Sequence, residues 1–188
     1  MKKISLQDIE FRKFFAILFA FLITIKIYDY MDGRPSIQRK HNIRILKQPI
    51  DISEGILIGD DGKEYGLVAG KGKMQILAFW APWCKICASE FPDMDKASLK
   101  LAENGINIIP ITKPSEDPVK IKTFFETLKI SNLVNYSCKT TTIGVKLGVR
   151  GYPMFFLVDE KGMAIASMRP QWDEDDILEA IESVKGAQ

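Results

Sequence analysis

Trp80-Ala81-Pro82-Trp83-Cys84-Lys85-Ile86-Cys87 decides how this chain is read. It stands where an apolar stretch, Met74-Gln75-Ile76-Leu77-Ala78-Phe79-Trp80, gives way to helix-forming sequence. The apolar stretch predicts a short buried strand. Two cysteines with two residues between them fall on one face of a first helical turn, close enough to form a disulfide or to stand as two thiols. Cys84 would sit at the helix N-terminus, where unpaired N–H groups and the positive end of the dipole stabilise a thiolate and lower its pKa by about one unit or more. The thiolate is the species that attacks disulfides, so this spacing points to thiol–disulfide exchange.

Two duller readings of the pair are weaker. A zinc site needs four ligands, and beyond the pair the chain offers only Cys138 and His41, distant and in no ligand-like spacing. A purely structural disulfide here would close too short a loop to constrain the unfolded chain much. The pair itself requires neither metal nor bound cofactor.

The surrounding residues carry a family resemblance. Trp-Ala-Pro-Trp-Cys at 80–84 resembles the active-site entry of thioredoxins. Gly148-Val149-Arg150-Gly151-Tyr152-Pro153-Met154-Phe155-Phe156-Leu157-Val158-Asp159 resembles the thioredoxin-fold segment in which a cis proline opens a core strand beside the cysteines. Ala88-Ser89-Glu90-Phe91-Pro92 completes a C-x-x-C-x-x-E-x-P pattern similar to that of the TlpA/ResA family of membrane-anchored, extracytoplasmic thiol:disulfide oxidoreductases. Gly55 to Leu67 looks like that family's N-terminal β-hairpin, with Asp61-Gly62 as its turn because glycine accepts positive φ without steric cost.

The resemblance implies an α/β, thioredoxin-like three-layer sandwich: a central mixed β-sheet, helices on both faces, and the hairpin as an N-terminal extension. It implies catalytic roles for Cys84 and Cys87 as the redox-active disulfide, and for Glu90 as proton acceptor beside Cys87. Trp83, Tyr152 and Pro153 would bind substrate, the Tyr152 peptide group pairing with an extended segment. Partners would be protein thiol or disulfide substrates, such as apocytochrome c or copper-site proteins of cytochrome oxidase assembly, and a membrane dithiol donor. The implied location is a bacterial inner membrane, crossed once, with the catalytic domain in the periplasm.

Two positions depart from the family pattern. Ile86 stands where most relatives have proline before the second cysteine. Ala78 stands where thioredoxins proper carry a buried acid, a proton acceptor that Glu90 could replace. Without the resemblance Glu90 reads as a solvent-facing helix residue.

Coarse patterning gives strands at Gln75–Trp80 and Ile106–Ile111, with a helix from Cys84 to Glu103 between them. Further helices are expected from Asp117-Pro118 to Lys129, over Thr141–Leu147 and over Asp173–Lys185. Met154–Val158 and Met163–Met168 form an antiparallel pair. Alternating strands and helices of this kind make a layered α/β domain, assigned to residues 50–188.

The N-terminus is different. Lys2, Lys3, Arg12 and Lys13 precede the uncharged apolar run Phe14–Ile25. Extended through Lys26 to Tyr30 it reaches about 17 residues, or about 25 Å of helix, just short of a bilayer core. Lys26 can snorkel, and Tyr28 and Tyr30 suit the interface. No small-x-small cleavage site follows, which favours an uncleaved signal anchor over residues 1–30 rather than a removed signal peptide. Residues 31–49, with Arg34, Arg39, Lys40, Arg44 and Lys47, read as a basic tether, either solvated or lying on anionic headgroups. His41 in that tether is read as inert.

A formal net charge of +2 on a chain that is 46% hydrophobic argues against a nucleic-acid-binding tail. Copper delivery on a thioredoxin fold typically uses three residues between the cysteines and a C-terminal histidine; here there are two, and no histidine follows His41. An oxidant that introduces disulfides uses the same atoms in reverse and stays open. Cys138, the odd cysteine, is read as a free, unreactive thiol at a loop position.

Overall fold

The computed structural model describes residues 43–67, 73–140, 142–172 and 174–185. The expected anchor and most of the tether lie outside these residues. Among the described residues no helix is long and apolar enough to cross a membrane.

The chain runs β1 (Ile43–Asp51), β2 (Ile56–Gly59), β3 (Glu64–Gly66), β4 (Met74–Phe79), α1 (Lys85–Glu103) and β5 (Ile106–Thr112). It continues with α2 (Pro118–Leu128), β6 (Tyr136–Cys138), α3 (Thr142–Lys146), β7 (Met154–Val158), β8 (Met163–Met168) and α4 (Glu174–Lys185). The strands form one sheet in the order β1-β8-β7-β4-β5-β6-β2-β3. Pairings β4–β5 and β5–β6 are parallel and the others antiparallel, so the sheet is mixed as expected.

Strand periodicity divides the core. Ile76, Ala78 and Trp80 face one cluster, shared with Phe91, Leu101, Phe124 and Ile177 of the three long helices. Leu77 and Phe79 face the other, shared with Ile143, Leu147, Phe156 and Val158. Successive side chains of a strand point to opposite faces, so β4 can be buried on both sides only if it is apolar throughout. Helices α1, α2 and α4 thus cover one face and α3 the other.

Local sequence sets the ends of these elements. Asp117 caps α2 by accepting the Val119 N–H at 2.9 Å, and Pro118 occupies the first turn, where an N–H is not needed. Gly105, at φ +75°, turns the chain out of α1 and into β5. The β2–β3 hairpin turns at Gly62, φ +73°, and adds to the sheet through β2–β6.

Two expectations need correction. The stretch 31–49 is not a tether to its end: β1 starts at Ile43 and pairs with β8 from Ile43↔Met168 to Asp51↔Met163. A register shift between Ile45 and Ile50 breaks the alternation by which such a strand would be recognised. Cys138 is not in a loop; it ends β6 opposite Leu57 and is buried. A three-residue strand carries too little periodicity to be seen in sequence.

Candidate active site

The β4–α1 turn presents the cysteines. Trp80 N–H donates to Ile111 O at 3.1 Å, fixing the end of β4 to β5, and Cys84 N–H returns to Ala81 O at 3.0 Å. Cys84 is the N-cap of α1: its Sγ accepts the Cys87 N–H at 3.1 Å, the hydrogen bond a capping oxygen would take. Cys84 and Cys87 are joined by a disulfide, the oxidised state of the pair. Cys84 is 6% exposed and Cys87 not at all, so the solvent edge of the disulfide belongs to Cys84.

The second segment meets the first here. The Tyr152–Pro153 peptide bond is cis, and β7 begins at the next residue. Tyr152 packs edge-on against Trp83, ring centroids 5.7 Å apart. Such a pair contributes about 0.5–1.5 kcal/mol beyond burial, enough to define the rim yet weak enough to part for an incoming chain. Lys113 Nζ lies over the same tyrosine ring, 5.8 Å from its centroid. Burial, then the charges of Glu116 and Cys138, push the Tyr152 phenol above its ordinary range, so it stays protonated.

Trp83 and Ile86, which flank Cys84-Lys85 in sequence, stand well exposed, at 67% and 54%. Trp83 borders a groove of about 590 Å³ between α1 and α2, lined also by Pro82, Cys84, Lys85, Lys120 and Phe124. Exposed Trp83 beside the small accessible edge of Cys84 makes a surface that an extended, partly apolar segment can cover.

Glu90 lies on α1 one turn beyond Cys87 and is half-buried rather than sequestered. Its Oε2 accepts the Gln171 N–H at 3.0 Å. It borders a cavity of about 300 Å³ with Met94, Phe155 and Trp172. The position thus falls between the two sequence readings: neither a fully exposed helix residue nor a wholly desolvated acid. Ala78 is fully buried in β4, opposite Pro110 and Phe155. Pro92 sits inside α1, where it has no N–H for the Ala88 carbonyl.

Two residues near the site escaped the sequence reading. Asp95, buried on α1, accepts N–H bonds from Ser131, Asn132 and Leu133 and a side-chain N–H from Asn132, tying down the loop after α2. Asn135, also buried, accepts the Trp80 indole N–H at 2.9 Å. No local motif marks either one, because their partners lie 36–38 and 55 residues away. Cys138 is buried behind the Tyr152 segment, and burial pushes its thiol up to about 11. Among the described residues no group of three or more His, Cys, Asp and Glu side chains is placed to hold a metal ion.

Residues 42–181 match the redoxin family, a span that contains every strand of the sheet in full. The chain belongs to the redoxin family. Within it, the chain is 28% identical over 124 residues to the thioredoxin-like protein YneN of Bacillus subtilis, covering 62% of this chain and 72% of that one. It is 29% identical over 124 residues to the thiol-disulfide oxidoreductase ResA of Bacillus thuringiensis, covering 66% and 70%. It is 33% identical over 93 residues to the thiol:disulfide interchange protein DsbE of Pseudomonas aeruginosa, covering 50% and 49%. The crystal structure of an exposed lipoprotein thioredoxin from Streptococcus pneumoniae superposes with a TM-score of 0.58 at 29% identity, covering 68% of this chain and 97% of that one. With the Cys84–Cys87 pair at its helix terminus, this redoxin is a thiol–disulfide oxidoreductase of the ResA/DsbE type.

Proposed function

We propose that this chain is a membrane-anchored reductase of exported proteins in which Cys84 is the nucleophile. The observation that carries the assignment is the asymmetry of the pair: Cys84 caps α1 and keeps accessible surface, while Cys87 is wholly buried behind it. In the reduced protein the Cys84 thiolate receives the Cys87 N–H and the other free N–H groups of the first turn. Lys85 next to it adds a favourable charge.

The thiolate attacks one sulfur of a substrate disulfide. A Cys84–substrate mixed disulfide forms, the substrate S–S bond breaks, and the leaving sulfur takes a proton. Cys87 then loses its proton, with Glu90 as the nearby acceptor, and attacks the Cys84 sulfur. The mixed disulfide breaks and the second substrate sulfur leaves as a thiolate. Two electrons have passed from the protein dithiol to the substrate, and the protein is left with the Cys84–Cys87 disulfide. Trp83 and Tyr152 flank the incoming chain, and the Tyr152 peptide group ahead of Pro153 supplies the strand-like contact. A dithiol donor in the membrane returns the pair to the reduced state.

Anchoring is supported by the basic flank and apolar run of residues 1–30, and an extracytoplasmic site by the same pattern together with the exposed lipoprotein among its structural relatives. Apocytochrome c and copper-site proteins, whose paired thiols must be reduced before they take up their cofactors, are the substrate class this placement fits.

Equilibration of the full chain with glutathione tests the direction of flow. A midpoint near that of thioredoxin, about −270 mV, supports a reductant, and one near about −120 mV overturns it in favour of a disulfide-forming oxidant. In parallel, Cys87→Ser should accumulate mixed disulfides through Cys84.

A further inference from the structure

Trp80 is the last residue before the turn that carries the cysteines, and it is held from three sides. Its main-chain N–H is bonded to Ile111 O. Its ring packs against Phe91, one turn beyond Cys87 on α1, and against Phe124 of α2, with centroids 4.7 and 4.5 Å away. Its indole N–H, fully buried, donates to Asn135 Oδ1 at 2.9 Å. Aromatic contacts tolerate sliding and rotation, whereas the hydrogen bond fixes one ring orientation.

Asn135 is itself 3% exposed and held from behind, its Nδ2 donating to Thr112 Oγ1 at 3.4 Å. The Thr112 hydroxyl in turn donates to Tyr136 O at 3.3 Å. An indole nitrogen can only donate, so the amide must turn its oxygen to Trp80 and its nitrogen to Thr112. The network has one consistent arrangement, and it lies in the segment entering β6, on the far side of β5 from the cysteines' own strand.

We propose that Asn135 is a positioning residue of the redox centre, which acts through the Trp80 indole to hold the β4–α1 turn in register with the first N–H groups of α1. The proposal rests on the reading that Cys84 supplies the thiolate. Trp80 and Cys84 are separated by a tight turn closed by the Cys84 N–H bond to Ala81 O, so a tilt of the indole is passed on to Cys84. The Cys87 N–H to Cys84 Sγ bond, at 3.1 Å, is the contact that such a tilt lengthens. A charge-assisted hydrogen bond to a thiolate weakens with distance more than one to a neutral disulfide sulfur. Losing the Asn135 bond therefore destabilises the reduced, ionised pair more than the oxidised one.

The test is a double-mutant cycle in the full chain with Asn135→Leu, Trp80→Phe and the pair combined, read by the pH dependence of Cys84 alkylation and by the equilibrium constant with glutathione. Asn135→Leu removes the acceptor, and Trp80→Phe keeps a ring while removing the donor. Each single variant is expected to reduce the thiolate fraction at neutral pH at least threefold and to shift the equilibrium constant three- to tenfold toward the more reducing side, tenfold corresponding to about 30 mV. The combined variant is expected to add nothing beyond the larger single effect. Unchanged thiol titration and equilibrium constant in Asn135→Leu, with only a lower melting temperature, would overturn the proposal. So would an Asn135→Leu shift that persists in full on the Trp80→Phe background. If Asn135→Leu does not fold, Trp80→Phe alone decides, and an unshifted titration there overturns it. A wild-type potential on the oxidant side would refute the reductant reading while leaving these differences between variants intact.

Discussion

Glu90 and Cys138 show how position, rather than residue type, sets the chemistry of a side chain. The Glu90 carboxylate is half-buried, one turn beyond Cys87, with one oxygen committed to the Gln171 N–H. Glu90→Gln keeps the shape and an acceptor for that N–H but removes the charge. The thiols are then expected to titrate at lower pH, since a neighbouring carboxylate disfavours a thiolate, and turnover is expected to slow for want of a proton acceptor. Alkylation against pH and the reductase rate measure both; if neither changes, Glu90 has no part in proton transfer. Cys138 is governed by burial alone, which raises its thiol above the ordinary range to about 11. A group that releases its proton later in the folded state contributes stability that is complete below about pH 9 and is lost as pH rises toward about 11. Unfolding free energy should fall across that window, and Cys138→Ala should flatten the fall. Labelling of native Cys138 near pH 7 should be slow beside its labelling in denaturant.

Among the elements, α1 is tied to the rest of the domain by Asp95 as well as by its apolar face. One buried carboxylate takes three main-chain N–H groups and one side-chain N–H from residues 131–133. Hydrogen bonds to charged groups contribute about 1.5–3 kcal/mol each, and their donors cannot all be rehydrated once the carboxylate is gone. Asp95→Ala is therefore expected to cost about 3 kcal/mol in urea unfolding, with the surviving folded protein still active. A loss under about 1 kcal/mol would show that the loop holds itself in place. The contrast with the cysteine turn explains what could be read in advance. The C-x-x-C turn, the Asp61-Gly62 hairpin turn, the Asp117-Pro118 helix start and the Tyr152-Pro153 segment are local chemistry, in which the residues that matter are neighbours in sequence. Asp95 and Asn135 work through partners dozens of residues away and leave no local trace. β1 was hidden for another reason: its register shift breaks the alternation that marks a strand, and its charged residues Arg44 and Lys47 resemble the basic stretch before it.

For the whole molecule, the fold brings two distant sequence segments to one rim. β4 and β7 are antiparallel neighbours with Phe79 paired to Met154, so the turn leaving β4 and the Tyr152-Pro153 entry into β7 must emerge side by side at the same end of the sheet. The sandwich was legible because alternating strands and helices, with a helix after β4, leave few arrangements. A reporter active only in the cytoplasm, fused after Gln188, is expected to stay inactive if residues 1–30 anchor the domain outside; strong activity would place the domain in the cytoplasm.

The claim on which the rest depends is that Cys84 is the nucleophile because it caps α1 while Cys87 lies buried behind it. Timed alkylation of the reduced full chain near pH 7, with the labelled residue identified by peptide mapping, tests it most directly. Cys84 should be modified first, with a rate that levels off below the ordinary thiol pKa of about 8.5, while Cys87 lags well behind. Faster labelling of Cys87, or a Cys84 rate that keeps rising through about pH 8.5, would contradict it.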